Sequence, residues 1–207
     1  DLGKSSLPEQ IAGRTSFTAV ATDGKRTELG GTLGLTKHSI RFREFHLQRS
    51  GLKGIIKATG EASFPDGSPF YKLRSTVSHL DLSSEIRFKT DISGTAEFSG
   101  SPSDYTGRFS LSNAGETWKS AAITGSLAGN NRKLSLALSQ TTWLKGNIAG
   151  ALEMNFEKDT SLRGSLRATR LDPGTLFPEW EGMLNVTARG EFHWKSDTPP
   201  AGHVDIR

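Results

Sequence analysis

The side chains best suited to metal binding are scattered along this sequence. No two histidines stand at the close spacing of a zinc-binding helix, and no cluster of carboxylates accompanies them. The five are His38, His46, His79, His193 and His203. We therefore expect no metal site and no cofactor.

Motifs for nucleophilic or phosphate chemistry are also missing. The chain has no cysteine, and it contains neither a phosphate-binding loop nor GxGxxG. The stretch Gly125-Ser-Leu-Ala-Gly129 holds its serine one place too early for a nucleophile elbow. Glu153 and Glu191 fall on the polar side of alternating runs, where solvation explains them. We expect no enzyme, although a carbohydrate-active β-sandwich stays open because two distant carboxylates leave no local signature.

The elements that carry these side chains are strands. In GNIAGALEMNF, residues 146–156, apolar and polar residues alternate with a period of two, which is typical of a strand with one buried face. The same unit, glycine followed by two alternating apolar residues, returns along the chain at irregular distances, beginning at Gly31, Gly60, Gly94, Gly107, Gly150, Gly164, Gly182 and Gly190. Irregular spacing excludes a propeller or β-helix and favours a long antiparallel sheet of about a dozen strands.

Two local features interrupt this pattern. Between Ser39 and Leu47 the alternation slips phase at Arg43-Glu44, and a β-bulge there would return the later apolar residues to their face. Short helical turns are predicted near residues 6–12 and 172–180, the second with Asp172 as N-cap and Pro173 at the first helical position.

Bulk properties exclude several classes of protein. The chain has 207 residues and a net charge of +4, with its basic residues spread out rather than gathered into a nucleic-acid-binding patch. It contains no run of ~18 apolar residues and no signal-peptide pattern. Because it starts at Asp1 and ends in an alternating run, we expect a single segment, 1–207, of a larger protein.

The repeated apolar stripe could be the ordinary core of a β-sandwich or barrel. About a dozen strands with glycines at their heads favour a different all-β fold, one without a closed core. We expect a long curled antiparallel sheet forming a U-shaped trough with an apolar inner face that holds acyl chains. The predicted lining is Leu33, Leu35, Phe64, Phe98, Phe109, Leu111, Leu127, Leu136, Ile148, Leu152, Met154, Phe156, Leu166, Leu184, Val186, Phe192 and Trp194.

One stretch of sequence resembles a known family. The glycine-led strands, with His79-Leu80-Asp81-Leu82, look like AsmA-like proteins of Gram-negative envelopes. Leu171-Asp172-Pro173, followed by residues 176–184 (LFPEWEGML), is similar to the "LDP…P-W-x-G-x-L" stretch of the TamB/AsmA-like family, with Glu181 where the family often has Pro. The resemblance suggests a fragment near the C-terminal part of such a protein.

This resemblance implies a β-taco fold without catalytic residues. It implies a periplasmic bridge, anchored in the inner membrane by a part of the protein outside this chain, that passes phospholipid between the two membranes. It also implies a partnership with an Omp85-type outer-membrane protein, TamA, in outer-membrane assembly and protein secretion. The alternative is a structural or chaperone β-module that binds outer-membrane clients by strand addition, without lipid transport.

Overall fold

The architecture is one open antiparallel sheet of thirteen strands that follow each other in sequence order. The computed structural model describes residues 10–20, 24–65, 68–84, 88–114, 120–156, 160–194 and 201–207. The strands are β1 Gln10–Val20, β2 Arg26–Thr36, β3 Ser39–Arg49, β4 Lys53–Ser63, β5 Phe70–Asp81, β6 Ile92–Ser101, β7 Asp104–Asn113, β8 Ala121–Gly129, β9 Lys133–Trp143, β10 Gly146–Asn155, β11 Thr160–Leu171, β12 Leu184–Trp194 and β13 Ala201–Ile206. Among the described residues β1 and β13 each pair with one strand only, so the sheet does not close. The predicted all-β antiparallel fold is confirmed.

Helix is almost absent from the described part of the chain. A 3₁₀ turn spans Pro173–Thr175, and the Asp172 side chain caps it by accepting a hydrogen bond from the Gly174 amide. The turn predicted near residues 6–12 is wrong for residues 10–12, which begin β1, and residues 6–9 lie outside the described ranges. No helix in those ranges has the length and apolarity needed to cross a membrane.

Bulges keep the apolar residues of the long strands on one face. In β3 the pairing with β4 shifts between Phe42 and Phe45, and Glu44 takes a left-handed conformation with φ of 53°. The extra residue returns Phe45 to the face that Phe42 occupies, so the predicted bulge at Arg43-Glu44 is confirmed. Similar shifts occur in β5 and β11.

The bulges in β5 and β11 are each followed by a turn with the same hydrogen-bonding pattern. His79 and Arg170 are left-handed at these bulges, with φ of 52° and 55°. In each case Leu-Asp follows, and the Asp carboxylate accepts the amide of the residue two places on, Ser83 or Gly174. The Leu-Asp pairs of the sequence therefore end strands by holding the turn that follows.

Candidate functional site

Strand register gathers the apolar residues into four rows on one face of the sheet. Residues directly opposite each other in neighbouring antiparallel strands project from the same face, so each row can be followed from strand to strand. The first row crosses all thirteen strands and holds only Gly, Leu, Phe and Val: Gly13, Leu33, Phe42, Gly60, Leu73, Phe98, Gly107, Leu127, Leu136, Leu152, Gly164, Gly190 and Val204. We call this face, with its four rows, the apolar face.

The other three rows run parallel to the first. The second row also crosses every strand: Ile11, Leu35, Ile40, Ala62, Tyr71, Gly100, Tyr105, Gly129, Leu134, Met154, Leu162, Phe192 and Gly202. The third runs from Phe45 through Phe109, Leu138 and Leu166 to Ile206, and the fourth from Phe17 through Leu111 and Ile148 to Val186. At ~4.8 Å per strand the first and second rows extend for about 58 Å.

Most of the predicted lining residues lie in these rows. They are Leu33, Leu35, Phe98, Phe109, Leu111, Leu127, Leu136, Ile148, Leu152, Met154, Leu166, Val186 and Phe192. Phe64 and Phe156 stand just beyond the ends of β4 and β10, and Leu184 pairs with Leu171 at the start of β12. Trp194 pairs with Thr160, and its side chain lies outside what the structure describes. That these residues line a lipid groove stays a prediction.

Several residues of the apolar face are missing from that predicted set. Leu29, Phe42, Leu73, Leu134 and Leu138 occupy the same rows. They belong to strands without a leading glycine, or they precede the glycine of their strand. Their own period-two alternation is the signal that would have found them.

Large side chains lie over the glycines of this face. A Cβ placed on Gly60 would stand 2.6 Å from the Phe42 ring, and one on Gly125 would stand 2.7 Å from the Phe109 ring. The same Cβ would also meet a backbone carbonyl oxygen of the other neighbouring strand, Lys72 O or Ala137 O. Real atoms cannot approach so closely, so the ring and this oxygen together require glycine at both positions. The glycines thus make room for rings and leucines on the adjacent strand, which keeps the apolar face smooth.

No other layer covers the apolar face among the described residues. The accessible surface is 14894 Å², whereas a compact protein of 22.4 kDa exposes about 9,400 Å². The buried apolar residues are Phe45, Ala62, Leu144 and Leu171, while Phe17 is 59% exposed and Ile206 68% exposed. A sandwich core is therefore wrong for the described residues, because a second sheet would bury these rows.

The opposite face, which we call the polar face, carries the ion pairs between strands. Arg41 pairs with Glu61 and Arg74 with Glu97, both at 3.2 Å, and Lys133 pairs with Glu153 at 2.8 Å. A further network joins Glu191 to Arg163 at 2.8 Å and to His193 at 3.1 Å.

Two depressions lie on the polar face, on either side of Ser126 and Ala128. One of about 960 Å³ crosses β3 to β8, and the other, of about 690 Å³, crosses β8 to β13. Both lie between two rows of side chains of the polar face and have the backbone of the first apolar row as their floor. The expectation that the apolar face is the inner face of a trough stays a prediction.

In the second depression, the carboxyl of Glu191 does not have the raised pKa of a general acid. Arg163 donates to Glu191 and lowers the pKa of that carboxyl below its ordinary value. A general acid for glycoside cleavage needs a raised pKa, and Glu191 departs in the opposite direction. No cluster of three His, Asp or Glu that could hold a metal ion occurs among the described residues.

The Leu-Asp-Pro stretch builds a fixed corner with an apolar tip. Lys145 donates to Asp172 at 2.7 Å and is the largest cause lowering the pKa of that carboxyl, while the Asp172 amide donates to Leu144 O at 2.8 Å. In the loop that follows, the rings of Phe177 and Trp180 have centres 5.1 Å apart and are tilted by 38°, and both residues are more than half exposed. Asp172 of the motif therefore has a structural role, whereas the loop after it presents two aromatic rings to solvent.

Comparison with known proteins adds one match. The family described as "TamB, N-terminal domain" matches residues 49–199, whereas the sequence had suggested a position near the C-terminal part of the protein. No curated protein and no solved structure matches the chain. The match covers well over half of the chain and includes β4 to β12, where the rows of the apolar face are complete. The chain belongs to the TamB family.

Proposed function

We propose that this chain is a segment of a bridge across the periplasm that carries phospholipid along its apolar face between the inner and outer membranes and supports outer-membrane assembly. The observation that supports this most is the uncovered apolar face, which crosses all thirteen strands. Each acyl methylene that leaves water gains about 0.8 kcal/mol. A continuous apolar surface therefore binds acyl chains without a shaped pocket.

The length and evenness of the rows suit movement of lipid along them. The first and second rows contain no charged residue on any strand. An acyl chain lying across one strand meets nearly the same surface on the next, so no single position holds it tightly. Charged headgroups would remain at the margin of the face, because burying a charge among apolar rows is costly.

The remaining parts of the proposal follow from family membership. The full protein is anchored in the inner membrane by a part outside this chain, and an Omp85-type outer-membrane protein, TamA, is its partner. In this proposal no residue of the chain catalyses a reaction and no cofactor is bound.

Adjacent residues on opposite faces provide the test. A photocrosslinking amino acid is placed in the full-length protein at Leu127 or Leu152, and in matched controls at Ser126 or Ala151 on the polar face. After irradiation of cells, we expect phospholipid adducts from the two apolar-face positions and few from the controls. Equal adducts from both faces, or none from either in folded protein, would contradict the proposal.

A second candidate function rests on the open edges of the sheet. β1 and β13 each leave one side unpaired among the described residues, and all six residues of β13 are exposed. Unpaired strands can take up an extended client by strand addition. The same crosslinker at His203 in β13 would then yield outer-membrane protein adducts, whereas at Ser110 in the central strand β7 it would not.

A further inference from the structure

The first depression of the polar face is basic, and the second is not. The first is lined by five cationic side chains and two carboxylates. The second is lined by two arginines, one histidine and three carboxylates. The two depressions share a floor and a sheet, so charge is the property that distinguishes them.

Ion pairs leave three cations of the first depression without a carboxylate. Glu61 is held by Arg41 and Glu97 by Arg74. Arg43, Lys72 and Arg108 have no carboxylate of the described residues within ion-pair distance, although Lys72 lies 5.9 Å from the Phe70 ring centre. All three are exposed, so their charges face the solvent of the depression.

The three cations alternate across the floor. The first apolar row forms the floor of the depression. In the pairing of β3 to β7, Lys72 lies on one side of this row, together with Arg41, whereas Arg43 and Arg108 lie on the other side. Arg43, Lys72 and Arg108 stand on β3, β5 and β7. With strands ~4.8 Å apart, each step from one cation to the next is about 10 Å along the depression.

An extended polypeptide has the matching repeat. Its residues rise ~3.3 Å each and alternate sides, so positions i, i+3 and i+6 lie about 10 Å apart and on opposite sides in turn. We propose that the first depression binds an extended acidic polypeptide segment with Asp or Glu at every third position, laid across the strands from β3 to β7. Thr59 and Thr106, also in the lining, would supply hydroxyls to its main chain.

This site lies on the face opposite the one proposed for lipid and does not depend on it. An anionic glycan or an anionic membrane would also be attracted by the charge. A membrane surface has no such linear repeat, and a polysulfated glycan such as dextran sulfate carries its charges much more densely, so the arrangement favours the peptide.

The probe is a seven-residue peptide with Asp at positions 1, 4 and 7 and Gly or Ser elsewhere. Its control has the same composition with Asp at positions 1, 3 and 5, which places all acids on one side. Titration of the chain at low salt, followed by fluorescence anisotropy, should show at least fivefold tighter binding of the first peptide. Equal affinity for the two peptides would overturn the proposal.

Substitutions locate the binding site. Arg43→Gln, Lys72→Gln and Arg108→Gln should each weaken binding about two- to fivefold, as expected for exposed ion pairs. Arg189→Gln, in the second depression, should leave binding unchanged. Circular dichroism of each variant verifies folding. Equal loss with Arg189→Gln, or stronger binding of dextran sulfate or phosphatidylglycerol vesicles than of the peptide, would overturn the proposal.

Discussion

The two faces of this sheet are built from the same strands but stabilised in different ways. On the polar face, charges of opposite sign stand across from each other, as in Arg41 with Glu61 and Lys133 with Glu153. On the apolar face, rings and leucines lie over glycines of the neighbouring strand. Charged side chains of the polar face pair with one another or face solvent, whereas no second layer covers the apolar face among the described residues. Most side chains of the apolar face are half-buried by their neighbours in the sheet.

This difference shows why the sheet does not need a second layer to keep its register. Opposed charges and glycine–ring contacts both depend on which residue faces which across the strands, so a slip of one residue would place charges on the apolar face. Register is therefore specified by both faces. Solubility is provided by only one of them, and an apolar ligand on the other would lower the cost of its exposure.

The largest expected effect comes from placing a charge on the apolar face. Leu152→Arg lies in the first row between Leu136 and Gly164, and we expect it to reduce co-purifying phospholipid at least tenfold, because a guanidinium interrupts the acyl path. Phe109→Glu should act in the same way. Native mass spectrometry of the purified chain measures the bound lipid.

Ala151→Arg is the matched control, since Ala151 is the preceding residue and projects from the polar face, where it is exposed. It should keep both lipid and stability, within about 0.5 kcal/mol. Loss of lipid in Ala151→Arg, or normal lipid in folded Leu152→Arg, would remove the distinction between the faces.

A smaller effect is expected from filling the spaces left by glycine. Gly60→Ala places a Cβ against the Lys72 carbonyl oxygen and the Phe42 ring, and we expect it to destabilise the sheet by about 1–3 kcal/mol, as for an overpacked core. Gly13 lies in the same row on β1, and an added Cβ there meets nothing within 4 Å. Gly13→Ala should therefore be neutral or slightly stabilising. Urea unfolding followed by circular dichroism compares the two, and equal effects would mean that contacts with the neighbouring strands do not fix the glycines.

Acid should lower the stability of the fold by protonating carboxylates of the polar face, and it should leave the apolar face unchanged. The amides of Thr90 and Ser83 lower the pKa of Asp81 below its ordinary value of 3.8, and Arg163 lowers the pKa of Glu191. A lowered carboxyl pKa stabilises the fold above the unfolded-state pKa, and that stability is lost as pH falls through the folded-state value. Urea midpoints should therefore fall below about pH 4.

Asp81→Asn and Glu191→Gln should each reduce this acid dependence while lowering stability at pH 7. The rows of the apolar face hold no carboxylate or histidine on the strands, so lipid bound per folded molecule should stay constant between pH 7 and 5. A change of lipid affinity over that range without unfolding would show that polar-face charges hold the lipid.

Much of this arrangement could be predicted from the sequence because alternation is local. The phase slip at Arg43-Glu44 was enough to place a bulge between Phe42 and Phe45, and the glycine-led runs identified many residues of the apolar rows. The depressions could not be predicted, because Arg43, Lys72 and Arg108 come together only through the pairing of β3 to β7. The capping role of Asp172 could be predicted because it has a sequence signature. Its contact with Lys145 could not be predicted, because the two residues are far apart in the sequence.

The smallest effect expected is that of a single ion pair on the polar face. Arg41 and Glu61 lie 3.2 Å apart, with side chains 49% and 36% exposed. Solvent screens such a pair, and holding two long side chains in place costs entropy, so a double-mutant cycle with Arg41→Met and Glu61→Gln should give a coupling of about 0.2–1 kcal/mol. Urea unfolding at low salt measures it, and 1 M NaCl should reduce it further. A coupling that matched the Gly60→Ala effect would mean that charges across strands fix the register as strongly as glycine–ring contacts do.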